Sequence, residues 1–514
     1  MAEARVNTEE KKSFLRLGAD TVLTHDTSEE FSLPDYVPEI RRLLCVKSDV
    51  LPESKYLGDN GEMTTLELGG TVTYTLIYTD DEGSLCSLPL TSSYEASTSL
   101  MSHPDTVFID TVVDSATARV SAPRRLTLKA RLKSRIWGWE SVCEEEKIEG
   151  KSSGDELFIE RKKESADIMS ILPISMSDIR VSGKIDMVED GEAVPLWCDA
   201  FVAVSEARCV NGSVSVRGEM CIKCVCKVGQ QTVILSKTEP VAEEIEAQGV
   251  SPKDFASVQA RCVSLSISNE ERDGQGQLFF DLCWEMEGAA FRNTQGELTV
   301  DCYSTACESK EEYKEIELYS VQKAQNSSFT FNEGVAKKDN EIAEIIDVIC
   351  DPVCEKVDFK GGKAVVGGKM NVTVIGTSEE KEGRGKEYVA QGYEVPFKYA
   401  TDVREAGGEQ AARCRISVGN VSARSEGDKL RVSAELYPAI DVFSKKRMRV
   451  LDSSRLMTDN TIKRQRGCVR VCFPREGETL WDIGKKYHTT VKEIREKNEL
   501  DLQSSIEDID NLII

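Results

Sequence analysis

The sequence predicts a mainly β protein, with three tandem β-sandwich-like repeats followed by a small strand–helix–helix–strand domain. Three observations carry that prediction. A glycine leading a β-rich run occurs three times, an alternating apolar strand closes each unit downstream, and the C-terminal stretch 469–514 holds paired helix-start signals.

The glycine runs are Gly70 before Thr71 to Tyr78, Gly218 before Glu219 to Cys226, and Gly368 before Lys369 to Ile375. In each, the residues two and four past the glycine are apolar, and a short strand with its own turn comes before. Those turns are Asp59-Asn60-Gly61, Asn211-Gly212 and Gly361-Gly362. A glycine between two strand-like halves suits a bulge or a sharp bend. The closing strands are Leu126-Leu128-Ala130-Leu132, Leu278-Phe280-Leu282-Trp284 and Leu430-Val432-Ala434-Leu436, each with one core face. Glycine and first leucine lie 56, 60 and 62 residues apart. Unrelated strands would not keep that spacing, so the units read as copies.

The joints follow from composition. Residues 1–30 read as a lead-in, with Phe14, Leu15 and Leu17 in a short amphipathic turn, and Ile40, Leu43 and Leu44 fall at helical spacing. The repeats are placed at 31–143, 165–300 and 341–445, a basic linker at 446–468 and the small domain at 469–514. The polar stretch from Glu144 and the charged one from Glu308 to Asn340, which carries a candidate strand at Ser328-Phe329-Thr330-Phe331, separate the copies. Lys445-Lys446-Arg447-Met448-Arg449 and Lys463-Arg464-Gln465-Arg466 read as a solvated linker, or as a docking patch for an acidic partner or a neighbouring copy.

With 514 residues and a net charge of −24, the chain is long enough for several cores and too acidic for a nucleic-acid binder. The first ten residues lack the apolar core of an export signal, and no run approaches the ~20 apolar residues of a membrane span. The expectation is a cytoplasmic protein without membrane insertion. Its 17 cysteines then read as reduced, half-buried small hydrophobes. Cys221, Cys224 and Cys226 form the one cluster that invites a metal reading. On a strand Cys221 faces away from the other two, and no second cluster completes four ligands. No metal and no cofactor is expected.

The tail is the most specific part. Val469, Val471 and Phe473 alternate with Arg470 and Cys472 until Pro474 ends the strand. Thr479 with Asp482, and Thr490 with Glu493, are capping-box pairs. Leu480, Ile483 and Tyr487 then share one helix face and Val491 and Ile494 another, with Lys485 and Lys486 in the first helix's last turn. Gly477-Glu478-Thr479-Leu480-Trp481-Asp482-Ile483, Lys485-Lys486-Tyr487 and Asn498 resemble a LysM domain. That resemblance implies a groove for N-acetylglucosamine-containing glycans, peptidoglycan or chitin, between two loops. Carried over by position, the ligand-binding residues are Gly477, Glu478, Thr479 and Leu480 in one loop. The other loop supplies Asn498, Glu499, Leu500, Asp501 and Leu502. The same residues also serve to cap helices and turn the chain. Where the family commonly has Pro-Gly before its last strand, this sequence has Asp508-Ile509. Asp501, Glu507, Asp508 and Asp510 make the second loop acidic, which favours a protein ligand.

The three-copy pattern resembles the SPOCS domain of spore-coat-associated proteins in endospore-forming bacteria, with the second copy fitting least well. Tandem SPOCS domains ahead of a LysM imply a coat-assembly protein of the mother-cell cytoplasm, recruited to the forespore surface, whose LysM meets a coat morphogenetic ATPase. A generic multi-sandwich surface protein is the plainer reading. Catalysis is not expected. The histidines are His25, His103 and His488, and no nucleophile, HExxH or phosphate-loop motif is present. The enzyme rival is a LysM-targeted cell-wall hydrolase with a carboxylate pair.

Overall fold

The computed structural model describes residues 11–514 except 60, 62, 146, 150–157, 187–192, 230, 273–274, 339–341, 379–385, 404–407, 463–468 and 502–510. Module 1 is built from β1 (Lys11–Ser32), β2 (Arg42–Asp59), β3 (Thr64–Thr79), β4 (Leu85–Leu100), β5 (Thr106–Ala122) and β6 (Arg125–Glu145). One antiparallel sheet runs β1-β6-β5 and the other β2-β3-β4. A short β7 (Lys147–Glu149) follows. Module 2 repeats the plan with β8 (Ile159–Ile185), β9 (Ala193–Val210), β10 (Ser213–Val228), β11 (Gln231–Glu246), β12 (Phe255–Arg272) and β13 (Gln275–Ser304). Its sheets are β8-β13-β12 and β9-β10-β11.

Module 3 has β14 (Cys307–Asn326), β15 (Phe329–Ala336), β16 (Glu344–Lys360), β17 (Lys363–Thr377), β18 (Tyr388–Asp402), β19 (Glu409–Glu426) and β20 (Lys429–Thr461). Here the first strand is broken in two. β14 and β15 pair with successive halves of β20, and β19 also pairs with it. β7 joins this sheet in parallel at Ser453 to Arg455. The chain ends with β21 (Val471–Cys472), α1 (Leu480–Tyr487), α2 (Val491–Lys497) and β22 (Leu512–Ile513). Among the described residues no helix is long and apolar enough to cross a membrane.

The marker glycines sit where the sequence requires them. The pairing of the module's second and third strands slips by one residue at Pro52/Ser54, Arg217/Gly218 and Cys354/Lys356. A Cβ on Gly70, Gly218 or Gly368 would run into the backbone carbonyl of Leu51, Ala203 or Val353. Only glycine lets the bulged strand approach this closely.

The closing strands β6, β13 and β20 bury one face in their first halves and both faces farther along. Leu126 to Leu132, Leu278 to Trp284 and Leu430 to Leu436 turn their apolar side chains into their own module's core. Farther along, Trp139, Phe291 and Phe443 point the other way. Each lies 13 residues past its module's first marker leucine, each is 1% exposed, and all three share one cluster. The Phe443 ring centroid is 5.0 Å from that of Trp139 and 5.4 Å from that of Phe291. A second cluster gathers Ile77, Val225 and Ile375, each seven residues past its glycine. The modules are therefore arranged about a pseudo-three-fold axis. β4 lies against β9, β11 against β16 and β18 against β2, a head-to-tail contact that closes into a ring.

Polar groups cross the axis as well. The Lys47 ammonium donates to Asp49 and Asp199, and Lys223 donates to Asp347 at 2.7 Å. The Trp197 indole N–H also donates to Asp347, at 2.9 Å. Nearer the aromatic cluster, Arg413 donates to Asp441, which also accepts from Ser257. Buried pairs of this kind add little net stability, but breaking one strands a charge, so they fix how the modules meet.

Four expectations need correction. Residues 11–30 are no lead-in: β1 pairs with β6 along its length, and Phe14 is buried. The stretch from Glu308 is no joint, since β14 and β15 open module 3, and the strand expected at Ser328 to Phe331 is found as β15. Lys445 to Arg449 belong to β20, where Lys445 meets Glu317 at 2.7 Å, so the basic run is the charged side of a paired strand. Lys463 to Arg466 lie outside the described residues. Ile40 to Leu44 lead into β2 instead of forming a helix.

Candidate functional site

The C-terminal domain is held by local signals. The Thr479 hydroxyl accepts the Asp482 N–H, and the Thr479 N–H donates to the Asp482 carboxylate at 2.9 Å, closing the expected box. The Asp482 carboxyl is held below its ordinary range, first by the Thr479 hydroxyl. Thr490 accepts from the Glu493 N–H at 2.9 Å and caps α2. Leu480, Ile483 and Ile494 pack with Cys472 and Leu512, and with Tyr487, Val491, Leu500 and Ile514 around them.

The strand face departs from the alternation expected of it. Cys472 is buried, whereas Val469, Val471 and Phe473 are exposed at 74%, 50% and 71%. Only Val471–Cys472 pairs, with Ile513 and Leu512. The core of so small a domain has room for one residue of this strand, and helix side chains fill the rest.

β21 and β22 are antiparallel, so the loop leaving Cys472 and the loop entering Leu512 emerge at the same end of the sheet. The candidate residues belong to these two connections, Gly477–Leu480 to the first and Asn498–Asp501 to the second. Their side chains serve unequal ends. Leu480 is buried and Leu500 half-buried in the domain's own core. Thr479 is the cap described above. The Asn498 amide donates to the Ile513 carbonyl and accepts the Ile513 N–H, both at 2.7–2.8 Å, so it splices the loop to β22. Glu478 accepts the Arg475 N–H at 3.0 Å. Gly477, at φ +79, opens onto free space, and Glu499, at φ +54, and Asp501 are exposed. Leu502, Glu507, Asp508, Ile509 and Asp510 lie outside the described residues. What the loops offer a ligand is mainly backbone, glycine space and acidic side chains.

Sequence reasoning missed how this domain is anchored. Trp481 and Lys485, one turn apart on α1, reach the end of β13. The Trp481 indole N–H, the Lys485 ammonium and the Tyr313 hydroxyl converge on the Asp301 carboxylate at 2.6–2.7 Å. Burial raises the Asp301 carboxyl, but these donors outweigh it and hold the group below its ordinary range. Burial likewise opposes the Lys485 charge, and Asp301 and Glu311 overcome it, so the ammonium is held above its ordinary value. The His488 imidazole meets the Ser304 carbonyl at 2.9 Å, and the Tyr303 hydroxyl donates to the Thr489 carbonyl at 2.8 Å. Gly484 is the signal that was present in the sequence. A Cβ there would stand 2.6 Å from the Tyr303 hydroxyl, so a glycine in mid-helix marks a close approach.

Residues 475–507 match the LysM domain family. No curated protein and no solved structure matches the chain. LysM domains bind glycans such as peptidoglycan or chitin. In this chain Gly477, Thr479, Glu499 and Asp501 are exposed, and α1 is clasped through Asp301.

Proposed function

We propose that this protein is a non-enzymatic binding and assembly protein, in which the ring of three modules is a platform and the LysM groove is the gripping surface. The clasp on Asp301 is the observation that carries this reading. It joins the small domain to the ring through Trp481, Lys485 and Tyr313, and involves none of the groove residues. The ligand class that the LysM domain supports is an N-acetylglucosamine-containing glycan, peptidoglycan or a chitin-like chain.

A second reading replaces the glycan with a protein. The Asn498 amide and the Thr479 hydroxyl are committed to the fold, Glu499 and Asp501 add exposed acid, and Val469, Val471 and Phe473 add exposed apolar surface beside the groove. The three like modules before a LysM resemble SPOCS repeats in the order of SipL-like coat-assembly proteins. In this reading the protein works in the mother-cell cytoplasm and at the forespore surface. Its LysM grips a spore-coat morphogenetic ATPase, and copies of the chain associate with one another.

Co-sedimentation of the full chain with purified peptidoglycan, competed by chitin oligomers, tests the first reading. Capture of the coat ATPase from sporulating cells without glycan selects the second. In either case Leu500→Ala should weaken binding while the melting of the ring stays unchanged. Release of soluble sugars from wall would instead support the hydrolase.

A further inference from the structure

The cysteine cluster of module 2 has no part in the binding function above. Cys224 and Cys226 lie on one face of β10, toward the module's own core, and Cys198 of β9 stands directly opposite Cys224. The Cys198 and Cys224 sulfurs are 2.8 Å apart, and those of Cys224 and Cys226 are 3.3 Å apart. Directly paired residues of antiparallel strands have Cα atoms about 4.5 or 5.5 Å apart, within the span of about 4.4–6.8 Å that a disulfide bridges. A bond between Cys198 and Cys224 therefore needs side-chain adjustment and no movement of the strands.

We propose that Cys198 and Cys224 form a redox-active dithiol that closes to a cross-strand disulfide, with a low-molecular-weight disulfide such as oxidised glutathione as oxidant. The reaction begins at Cys198, since it is partly exposed and Cys224 and Cys226 are fully buried. The Cys198 thiolate attacks one sulfur of the oxidant, giving a mixed disulfide and releasing one small thiolate. Cys224 then attacks the Cys198 sulfur and expels the second small thiolate. Two protein thiols are oxidised, one small disulfide is reduced to two thiols, and the two thiol protons pass to those products. Hydrogen bonding to Cys198 and Cys226 pushes the Cys224 thiol up, and Cys224 passes its proton to the departing small thiolate as it attacks.

The location gives the bond a consequence. The neighbouring residues Asp199 and Lys223, also directly paired, bind Lys47 of module 1 and Asp347 of module 3. Oxidation cross-links β9 to β10 where module 2 is fastened to both others.

The test uses the reduced full-length protein, incubated with oxidised glutathione, alkylated and digested. The expected result is a linked peptide pair containing Cys198 and Cys224, the loss of two alkylatable thiols, and the return of both with dithiothreitol. The thermal midpoint should rise on oxidation. Cys198→Ser should abolish both the link and the rise, and Cys226→Ser should keep both. The proposal is overturned if glutathione modifies the exposed Cys143 while Cys198 and Cys224 stay free, or if Cys224 links to another cysteine.

Discussion

The ring and the LysM domain are held together by different balances of apolar and polar contact. Around the ring axis, Trp139, Phe291 and Phe443 bury aromatic faces contributed by three distant parts of the chain. The LysM domain is built from neighbours in sequence, with caps at Thr479 and Thr490, and reaches the ring through a polar clasp on Asp301. An apolar junction fails when volume is removed, whereas a polar clasp fails when one partner is removed. The two regions should therefore respond independently to substitution, and four changes sharpen or break that contrast.

Phe443→Ala should have the largest effect. It opens a cavity where all three modules meet and should cost about 3–5 kcal/mol in chemical denaturation. If the ring were three independent beads, the loss would be confined to module 3.

Asp351 comes next. It lines a cavity of about 190 Å³ between the modules, beside Lys47, Asp49, Asp199, Lys223 and Arg261, and burial there, with Asp49 and Asp199 adding to it, pushes its carboxyl up to about 7. An acid whose value is raised in the folded state holds its proton there and pays for ionisation above that value. Stability should therefore fall as pH rises from about 4 through 7. Asp351→Asn should be more stable than the parent at pH 8, by roughly 2–4 kcal/mol, and level with it near pH 4. Thermal melts across pH check this, and equal midpoints at pH 8 would contradict it.

Asp301→Ala should cost about 2 kcal/mol, felt only at the LysM junction, because the Trp481 indole and the Lys485 ammonium lose their acceptor. Hydrogen exchange at α1 should quicken while exchange at β13 stays slow. Thr479→Ala should cost the least, about 1 kcal/mol of the small domain's own stability. Its effect is read from the exchange of the first turn of α1.

This contrast also explains what was legible in the sequence. The capping box at Thr479, the Thr490 cap, the alternation of Leu126 to Leu132 and the bulge glycines are set by short-range sterics and hydrogen bonding, and each sits where the pattern placed it. The ring was not legible, because Trp137-Gly138-Trp139 and Asp441-Val442-Phe443 touch only after folding and share no residue type. A strand buried on both faces loses its alternation, and Ile136-Trp137-Gly138-Trp139, where the alternation of β6 breaks off, was the available cue. The lead-in and the basic linker were misread for a related reason. Polar residues on a strand that pairs at its edge look like linker until the partner strand, β6 or β14, is in view. In the candidate site the loops were legible and the clasp was not, because Asp301 lies 180 residues from Trp481 in sequence.

The central claim is that three copies close into one ring that carries the LysM domain against it. Small-angle X-ray scattering of the monomer tests this most directly. A closed ring with a docked tail should give a radius of gyration of about 24 Å, the value for one compact body of this length. A clearly larger value, as expected for separate globules strung along the chain, would contradict the account.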